Sequence, residues 1–208
     1  LPDADLWAHW PAIVGYDTAF FEHLPLRRDP ANPQRLWRSF RWGRTLELFV
    51  LDCRSERRPS TRRTPAATYL SRTQLDWLKS SLAASPAIFK LVLNSVPIAD
   101  FPLTFSLGGT ESRWEGYPAQ RTELLDFVAR NTTGVVFISG DFHMASVGRV
   151  ASSGAHAPIP EILVGAGGQL GNPLAGTLRP PQWAFATAEN NYGSFEADPS
   201  TRTLSVAL

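Results

Sequence analysis

The chain has 208 residues, 43% of them apolar, and a formal net charge of +1. This composition is typical of a globular protein with a sizeable core and excludes a largely disordered chain. No apolar run approaches the roughly 20 residues that span a bilayer, and no signal-peptide pattern opens the sequence. Cys53 is the only cysteine, so an intrachain disulfide is excluded.

The first quarter of the sequence predicts a helical start followed by a β-hairpin. Apolar residues spaced along residues 1–25 predict one or two helices. Residues 36–42 alternate apolar and polar side chains, which predicts a half-buried strand, and Gly43 with Arg44 predicts a tight turn. The apolar run of residues 46–51 predicts a strand covered on both faces.

The middle of the sequence alternates helix and strand patterns. Residues 54–70 are polar and rich in arginine, which predicts a surface loop. A helix is predicted to begin at residues 71–74 and to end near residues 84–86, where a proline follows. Residues 88–93 predict another buried strand, and the stretch 98–117 predicts a long loop of the kind that often carries function.

The last part of the sequence changes from helix-covered strands to strands alone. A helix is predicted over residues 118–130, with Pro118 in its first turn, and a buried strand over residues 134–139. The Gly-rich residues 165–176 predict a loop, and residues 198–201 predict a turn. Short strands without intervening helices are predicted over residues 146–150, 161–164, 192–197 and 203–208. The pattern is that of an α/β fold in a single domain, residues 1–208, since no linker or repeat interrupts it.

Polar side chains follow three of the buried runs, at the points where the predicted strands end. Asp52 follows the first run, Asn94 the second, and Asp141 with His143 the third. Strand–helix–strand units place ligands at the carboxyl ends of their strands, so these side chains are expected to share one cleft. In a near-extended backbone Asp141 and His143 point to the same side and offer a metal an oxygen and a nitrogen ligand. The alternative is a capping aspartate beside a surface histidine.

The remaining candidate residues each leave two interpretations open. Asn94 either binds a divalent ion through its amide oxygen or ends its strand in an Asx-turn. Arg54 either holds a phosphate or forms a structural ion pair with Asp52. Trp114 and Tyr117 either wall a substrate pocket or pack their loop onto the core.

Several stretches together resemble the PhoD-type alkaline phosphatase family of the calcineurin-like metallophosphoesterase superfamily. The resembling stretches are residues 40–43, 47–54, 74–78, 114–121 and 139–143. The resemblance implies a portion of a four-layer α/β/β/α metallophosphoesterase sandwich with mixed sheets and a multi-metal site. It implies hydrolysis of phosphate mono- or diesters by metal-activated water, with iron and calcium, or zinc or manganese, as cofactors. An extracytoplasmic location, periplasmic or secreted, is also implied.

The resemblance assigns roles to individual residues. Asp141 and His143 match the last metal-site motif of the family, and Asn94 matches a strand end that faces the site. Asp141 is expected to hold a metal, and His143 to bind metal or to donate a proton to the leaving oxygen. Apart from the resemblance, the residues themselves make Arg54 a candidate for substrate contact, together with Trp114 and Tyr117.

The earlier metal-binding motifs of that family lie N-terminal to the sequence in hand. The chain is therefore expected to be the C-terminal half of a metallophosphoesterase domain, completed by a separate N-terminal chain or segment. A second hypothesis of a different class is a non-catalytic scaffold or binding subunit derived from the same fold. The sequence carries no nucleic-acid-specific motif.

Overall fold

The computed structural model of the protein describes residues 21–102 and 113–208. In these ranges the strands are β1 (Arg38–Trp42), β2 (Leu46–Val50), β3 (Phe89–Leu93), β4 (Val135–Ser139), β5 (Ala145–Arg149), β6 (Pro160–Leu163), β7 (Trp183–Thr187), β8 (Ser194–Asp198) and β9 (Thr203–Ala207). The helices longer than two turns are α1 (Arg72–Ala84) and α2 (Pro118–Asn131). The helices predicted over residues 1–25 lie outside the described residues, apart from residues 21–23, which are helical.

Seven of these strands form one mixed sheet in the order β1-β2-β3-β4-β6-β5-β7. Strands β2, β3, β4 and β6 run parallel to one another, and β1, β5 and β7 pair antiparallel with their neighbours. The carboxyl ends of the four parallel strands therefore meet at one edge of the sheet. Strands β8 and β9 form a separate antiparallel hairpin.

Helices α1 and α2 cover one face of this sheet. The side chain of Ser71 accepts a hydrogen bond from the backbone N–H of Gln74 at 3.1 Å, which caps the start of α1. Pro118 begins α2, where its missing N–H has no helical partner to lose. The two helices bury Leu75, Leu78, Leu82, Leu124, Leu125 and Val128 against Phe49, Val92 and Phe137 of the sheet.

The opposite face of the sheet is apolar as well. Leu91, Val136, Ile138 and Ile162 form a buried cluster there. The side chains packed on this cluster from outside the sheet are those of the hairpin and the C-terminus, Phe195, Leu204, Val206 and Leu208.

Two sequence predictions about strands differ from the structure. Strand β7 was not predicted, because Pro180 and Pro181 precede it and its five residues contain two alanines that weaken the alternating pattern. Strand β1 exists, but the prediction of a half-buried strand is wrong, since Phe40 and Trp42 are 47% and 57% exposed. Strand β1 is the edge of the sheet, and the helices cover the interior strands instead.

Candidate functional site

The ends of β2, β3 and β4 lie side by side beyond the last residues of the strands. The N–H of Leu51 donates to the carbonyl of Leu93 at 3.1 Å, and the N–H of Asn94 donates to the carbonyl of Ile138 at 2.8 Å. The thiol of Cys53 donates to Oδ1 of Asn94 at 3.1 Å. The ends of β2 and β3 are therefore in contact through Cys53 and Asn94.

Asp52 is buried at the end of β2, and its carboxylate ties down the chain that follows it. Oδ1 accepts the N–H of Arg54 at 3.0 Å and that of Ser55 at 2.9 Å, and the Ser55 hydroxyl donates to Oδ2. Gln74 of α1 holds the backbone of Asp52, accepting its N–H at 2.9 Å and donating to its carbonyl at 3.1 Å. The contact between Asp52 and Arg54 thus runs through the backbone, and the Arg54 side chain is exposed.

Asn94 is buried, and its amide oxygen already accepts two hydrogen bonds. The donors are the indole N–H of Trp114 at 3.2 Å and the thiol of Cys53. An indole N–H only donates, so the orientation of the amide follows from this bond. The amide nitrogen, Nδ2, is buried without a hydrogen-bond partner. The oxygen that the sequence offered to a metal is therefore engaged by the protein in this structure.

Trp114 and Tyr117 are fully buried in the main core. The ring of Tyr69 lies 4.1 Å from that of Trp114 and 5.1 Å from that of Tyr117, measured between centroids. Of the two interpretations, packing of the loop onto the core describes where these rings lie, and neither presents surface to a substrate here. Through its indole N–H, Trp114 instead supports Asn94 from beneath.

Burial controls the two ionisable groups inside this cluster. It raises the pKa of the Cys53 thiol to about 12, so Cys53 is neutral and a poor nucleophile at neutral pH. Burial also raises the pKa of Tyr69 well above its usual range, and the nearby charge of Asp141 adds to the effect.

The turn after β4, residues 140–144, has a conformation that the sequence did not predict. Asp141 has φ +71° and His143 has φ +52°, so the near-extended backbone expected for them is wrong. Left-handed backbone is uncommon for residues other than glycine and costs about 1–3 kcal/mol at each position. Both side chains are exposed, and the Phe142 side chain between them is buried. The turn thus presents a carboxylate and an imidazole outward from one buried anchor.

Neighbouring segments hold this turn in place. The ring of Phe142 lies 4.8 Å from the ring of Phe101, and the guanidinium of Arg113 lies 4.8 Å from the Phe142 centroid. On the other side, the N–H of Asn172 donates to the carbonyl of His143 at 2.7 Å. The Gly-rich stretch is therefore a loop beside the turn over residues 165–172, as the sequence predicts, but from Pro173 to Thr177 it forms a short 3-10 helix in place of the predicted loop.

Two further residues of this region had no clear signal in the sequence. Glu161 lies on β6 without any exposed surface and accepts a hydrogen bond of 2.5 Å from the hydroxyl of Ser139 at the end of β4. A lone carboxylate inside an apolar strand was the one available clue. Tyr69 lies within residues 54–70, for which the sequence predicts a surface loop, yet its side chain is buried. No periodic pattern surrounds Tyr69, so the sequence did not indicate its place in the core.

The metal-ligand chemistry of the described residues is incomplete. Asp141 and His143 offer an exposed oxygen and nitrogen donor, which suits a divalent or trivalent ion. Within residues 21–102 and 113–208, however, no three His, Cys, Asp or Glu side chains are grouped closely enough to hold a metal. Neither α1 nor α2 has the length and apolar character of a membrane span.

The sequence model of the PhoD-like phosphatase family matches residues 16–173. The chain belongs to the PhoD-like phosphatase family. A curated relative is the alkaline phosphatase D of Bacillus subtilis strain 168, which is 32% identical over 142 residues. That match covers 60% of this chain and 24% of the relative, so the chain spans about a quarter of the length of the Bacillus subtilis protein.

Two solved structures share the fold of this PhoD-like chain. A structure of PhoD matches with a TM-score of 0.67 and 24% identity, covering 85% of this chain and 39% of that one. The purple acid phosphatase PPD1 of yellow lupin seeds matches with a TM-score of 0.53 and 12% identity, covering 82% of this chain and 29% of the other. The mixed α/β sheet of this chain is therefore the kind of fold found in PhoD and in purple acid phosphatase.

Proposed function

We propose that this chain forms the C-terminal half of a metallophosphoesterase domain that hydrolyses phosphate mono- or diesters once a further segment or chain completes its site. Family membership supports the reaction class. The observation that carries the proposal is the turn after β4, where Asp141 and His143 are both exposed and both left-handed. Backbone strain of this kind persists where surrounding structure enforces it, and it clusters at ligand-binding and catalytic positions.

In this proposal, Asp141 and His143 hold metal ions on the outer side of the turn. Bound metals would polarise the phosphoryl oxygens and supply an activated water. Iron and calcium, or zinc or manganese, are the candidate ions. His143 alternatively donates a proton to the leaving oxygen. Asn94 serves as a ligand only if Oδ1 gives up its bonds to Trp114 and Cys53; otherwise its unpartnered Nδ2 is the group available to the site.

Substrate contact in this proposal comes from the arginine beside the strand ends. Arg54 follows β2 directly, its side chain is exposed, and its backbone is fixed by the Asp52 carboxylate. A planar guanidinium suits the oxygens of a phosphate. Trp114 and Tyr117 contribute to substrate binding indirectly, by packing beneath Asn94 and Tyr69.

The apolar face under the β8–β9 hairpin suggests how the domain is completed. A four-layer α/β/β/α sandwich requires a second sheet against the face of the first sheet that the helices leave free. In this chain that face carries Leu91, Val136, Ile138 and Ile162, and the β8–β9 hairpin packs on it. We therefore propose that residues 1–208 are one part of such a sandwich, and that the segment with the missing ligands supplies the second sheet. An extracytoplasmic location belongs to the same proposal and rests on family resemblance; cell fractionation tests it.

A non-catalytic scaffold is the second candidate, and one observation favours it for the chain by itself. The described residues do not group three metal-binding side chains, so they do not form a complete metal site alone. On this alternative the chain keeps the fold and the turn but turns over no ester.

Substitution of Asp141 by asparagine tests the proposal. In the full-length protein, Asp141→Asn is expected to lower the hydrolysis of p-nitrophenyl phosphate or its bis ester by at least about 100-fold and to lower the metal content, because one carboxylate ligand is lost. Asp76→Asn on the exposed face of α1 removes the same charge away from the site and is expected to change neither. Full activity with unchanged metal content in Asp141→Asn rejects the assignment. A native protein with neither metal nor turnover favours the scaffold.

A further inference from the structure

Glu161 is a buried carboxylate whose two oxygens accept three hydrogen bonds. Oε1 accepts the N–H of Ile98 at 2.9 Å and the hydroxyl of Ser139 at 2.5 Å, and Oε2 accepts the N–H of Ala99 at 2.6 Å. Glu161 lies on β6, directly beside β4, and its side chain has no exposed surface. One carboxylate therefore joins the end of β4 to the segment that follows β3.

Both of the segments that Glu161 joins lead to the candidate site. Ser139 is the last residue of β4, and the turn with Asp141 and His143 begins at the next position. Ile98 and Ala99 begin the segment that carries Phe101, whose ring lies 4.8 Å from the ring of Phe142. Because Phe142 is the buried residue between the two exposed ligand candidates, the position of Phe101 bears directly on theirs.

The segment 98–101 is fixed by contacts that are independent of Glu161 as well. Arg121 of α2 donates to the carbonyl of Ile98 at 2.7 Å and forms an ion pair with Asp100 at 3.0 Å. Gln182 donates to the carbonyl of Asp100 at 2.8 Å. Loss of the carboxylate is therefore expected to loosen this segment and the turn, and not to unfold the sheet.

We propose that Glu161 is a positioning residue of the site, which holds the turn 140–144 and the segment 98–101 against each other. The proposal rests on the proposed function and adds a residue that touches neither metal nor substrate. A buried charge is costly, and well-packed apolar residues often replace buried ionic groups without loss of stability. Burial raises the pKa of Glu161 to about 7, while its three hydrogen bonds and the charge of Arg121 lower it. The geometry explains the presence of a carboxylate at this position: a side chain must offer two acceptor oxygens to accept hydrogen bonds from all three donors.

Glutamine in place of Glu161 tests this geometry with minimal change of shape. One end of the amide is an NH₂ group, so either the Ala99 or the Ile98 N–H faces another donor. We expect Glu161→Gln to lower kcat at least tenfold while KM changes less than threefold, because the ligands of the turn are displaced and not removed. We also expect faster amide hydrogen exchange at Ala99, at Phe142 and at Asn172, whose N–H is bonded to His143. Glu196→Gln on the exposed face of β8 is the matched control and is expected to change none of these quantities.

The outcomes separate this proposal from the proposed function. A kcat within twofold of the native protein, or unchanged amide exchange in the turn, overturns the positioning role. Where Glu161→Gln does not fold, Ser139→Ala decides: it removes one of the three donors, and slow exchange at Phe142 together with full kcat overturns the proposal. A native protein that hydrolyses no phosphate ester defeats the proposed function, and the exchange at Phe142 and Asn172 then still decides whether Glu161 holds the turn.

Discussion

Two aspartates each follow a buried parallel strand, and the structure uses them in opposite ways. Asp52, after β2, is buried, and its carboxylate accepts hydrogen bonds from the N–H groups of Arg54 and Ser55 and from the Ser55 hydroxyl. Asp141, after β4, is exposed on a left-handed backbone. At equivalent points of one sheet edge, the same residue type thus stabilises its own loop after one strand and faces outward after the other.

The difference shows which carboxylate holds the turn after β4. After β2, Asp52 forms hydrogen bonds with its own loop. At the end of β4, the carboxylate that accepts a hydrogen bond is that of Glu161, on the neighbouring strand β6. Asp141 is therefore not needed to hold the chain and is free to bind a ligand. The carboxylate of Asp141 makes no hydrogen bond that its own turn needs, because Glu161 holds that turn. The end of β4 is therefore a better candidate for function than the end of β2, where Asp52 bonds to its own loop.

The largest expected effect concerns the stability that Glu161 contributes as the pH changes. Burial raises the pKa of Glu161 from 4.5 to about 7, so between these values the folded protein binds a proton that the unfolded chain has released. The contribution of Glu161 to the free energy of unfolding is therefore full below pH 4.5 and is lost as the pH rises through 7, by an amount on the order of 3 kcal/mol.

Unfolding by denaturant, measured from pH 4.5 to 8, checks this expectation. The difference between the native protein and Glu161→Gln should move with pH in that window, because glutamine does not titrate. A difference that is flat across the window means that burial does not raise the pKa of Glu161 in the folded protein, which contradicts this expectation.

A smaller effect is expected when Asp52 is removed. Asp52→Ala leaves the partly buried N–H groups of Arg54 and Ser55 without their acceptor, and the free energy of unfolding should fall by about 2 kcal/mol. Asp198 accepts the N–H of Ser200 at 2.8 Å in a similar turn between β8 and β9, but at the surface. Asp198→Ala should therefore cost clearly less. Equal losses in the two variants are the result that speaks against a special role for burial at β2.

The smallest expected effect is a gain of stability at the β4 turn. His143→Gly removes the side chain from a backbone at φ +52° and should raise the free energy of unfolding by about 1 kcal/mol while activity is lost. Arg202→Gly relieves a similar backbone, φ +54°, in the β8–β9 turn and should raise stability with activity intact. A destabilised His143→Gly shows that the histidine is held for structural reasons, which contradicts the division between the strand ends.

Regular elements of this fold are predictable from the sequence because their signals are local. Ser71 with the following apolar spacing predicts α1, and Pro118 predicts the start of α2; the structure confirms both. The buried strands β2, β3 and β4 are confirmed within one or two residues. Strand β7 has a weak local signal and depends on its pairing with β5. The local sequence does not indicate that pairing.

The candidate site is less predictable because its geometry depends on distant partners. Asp141 and His143 have left-handed backbone on either side of Phe142, which packs against Phe101, a residue 41 positions away. Glu161 reaches Ile98 across 63 positions, and no local pattern encodes such a bond. The sequence therefore indicates which strand ends carry polar groups, and tertiary contacts decide which of those groups face outward.

The most direct test is the position of the metals in the full-length protein. Crystals grown with the native metals and measured by anomalous scattering should place an ion about 2.0–2.6 Å from the carboxylate of Asp141 or the imidazole of His143, with Asp52 still bonded to its own loop. Ions bound elsewhere, with the turn after β4 in contact with solvent alone, contradict the account.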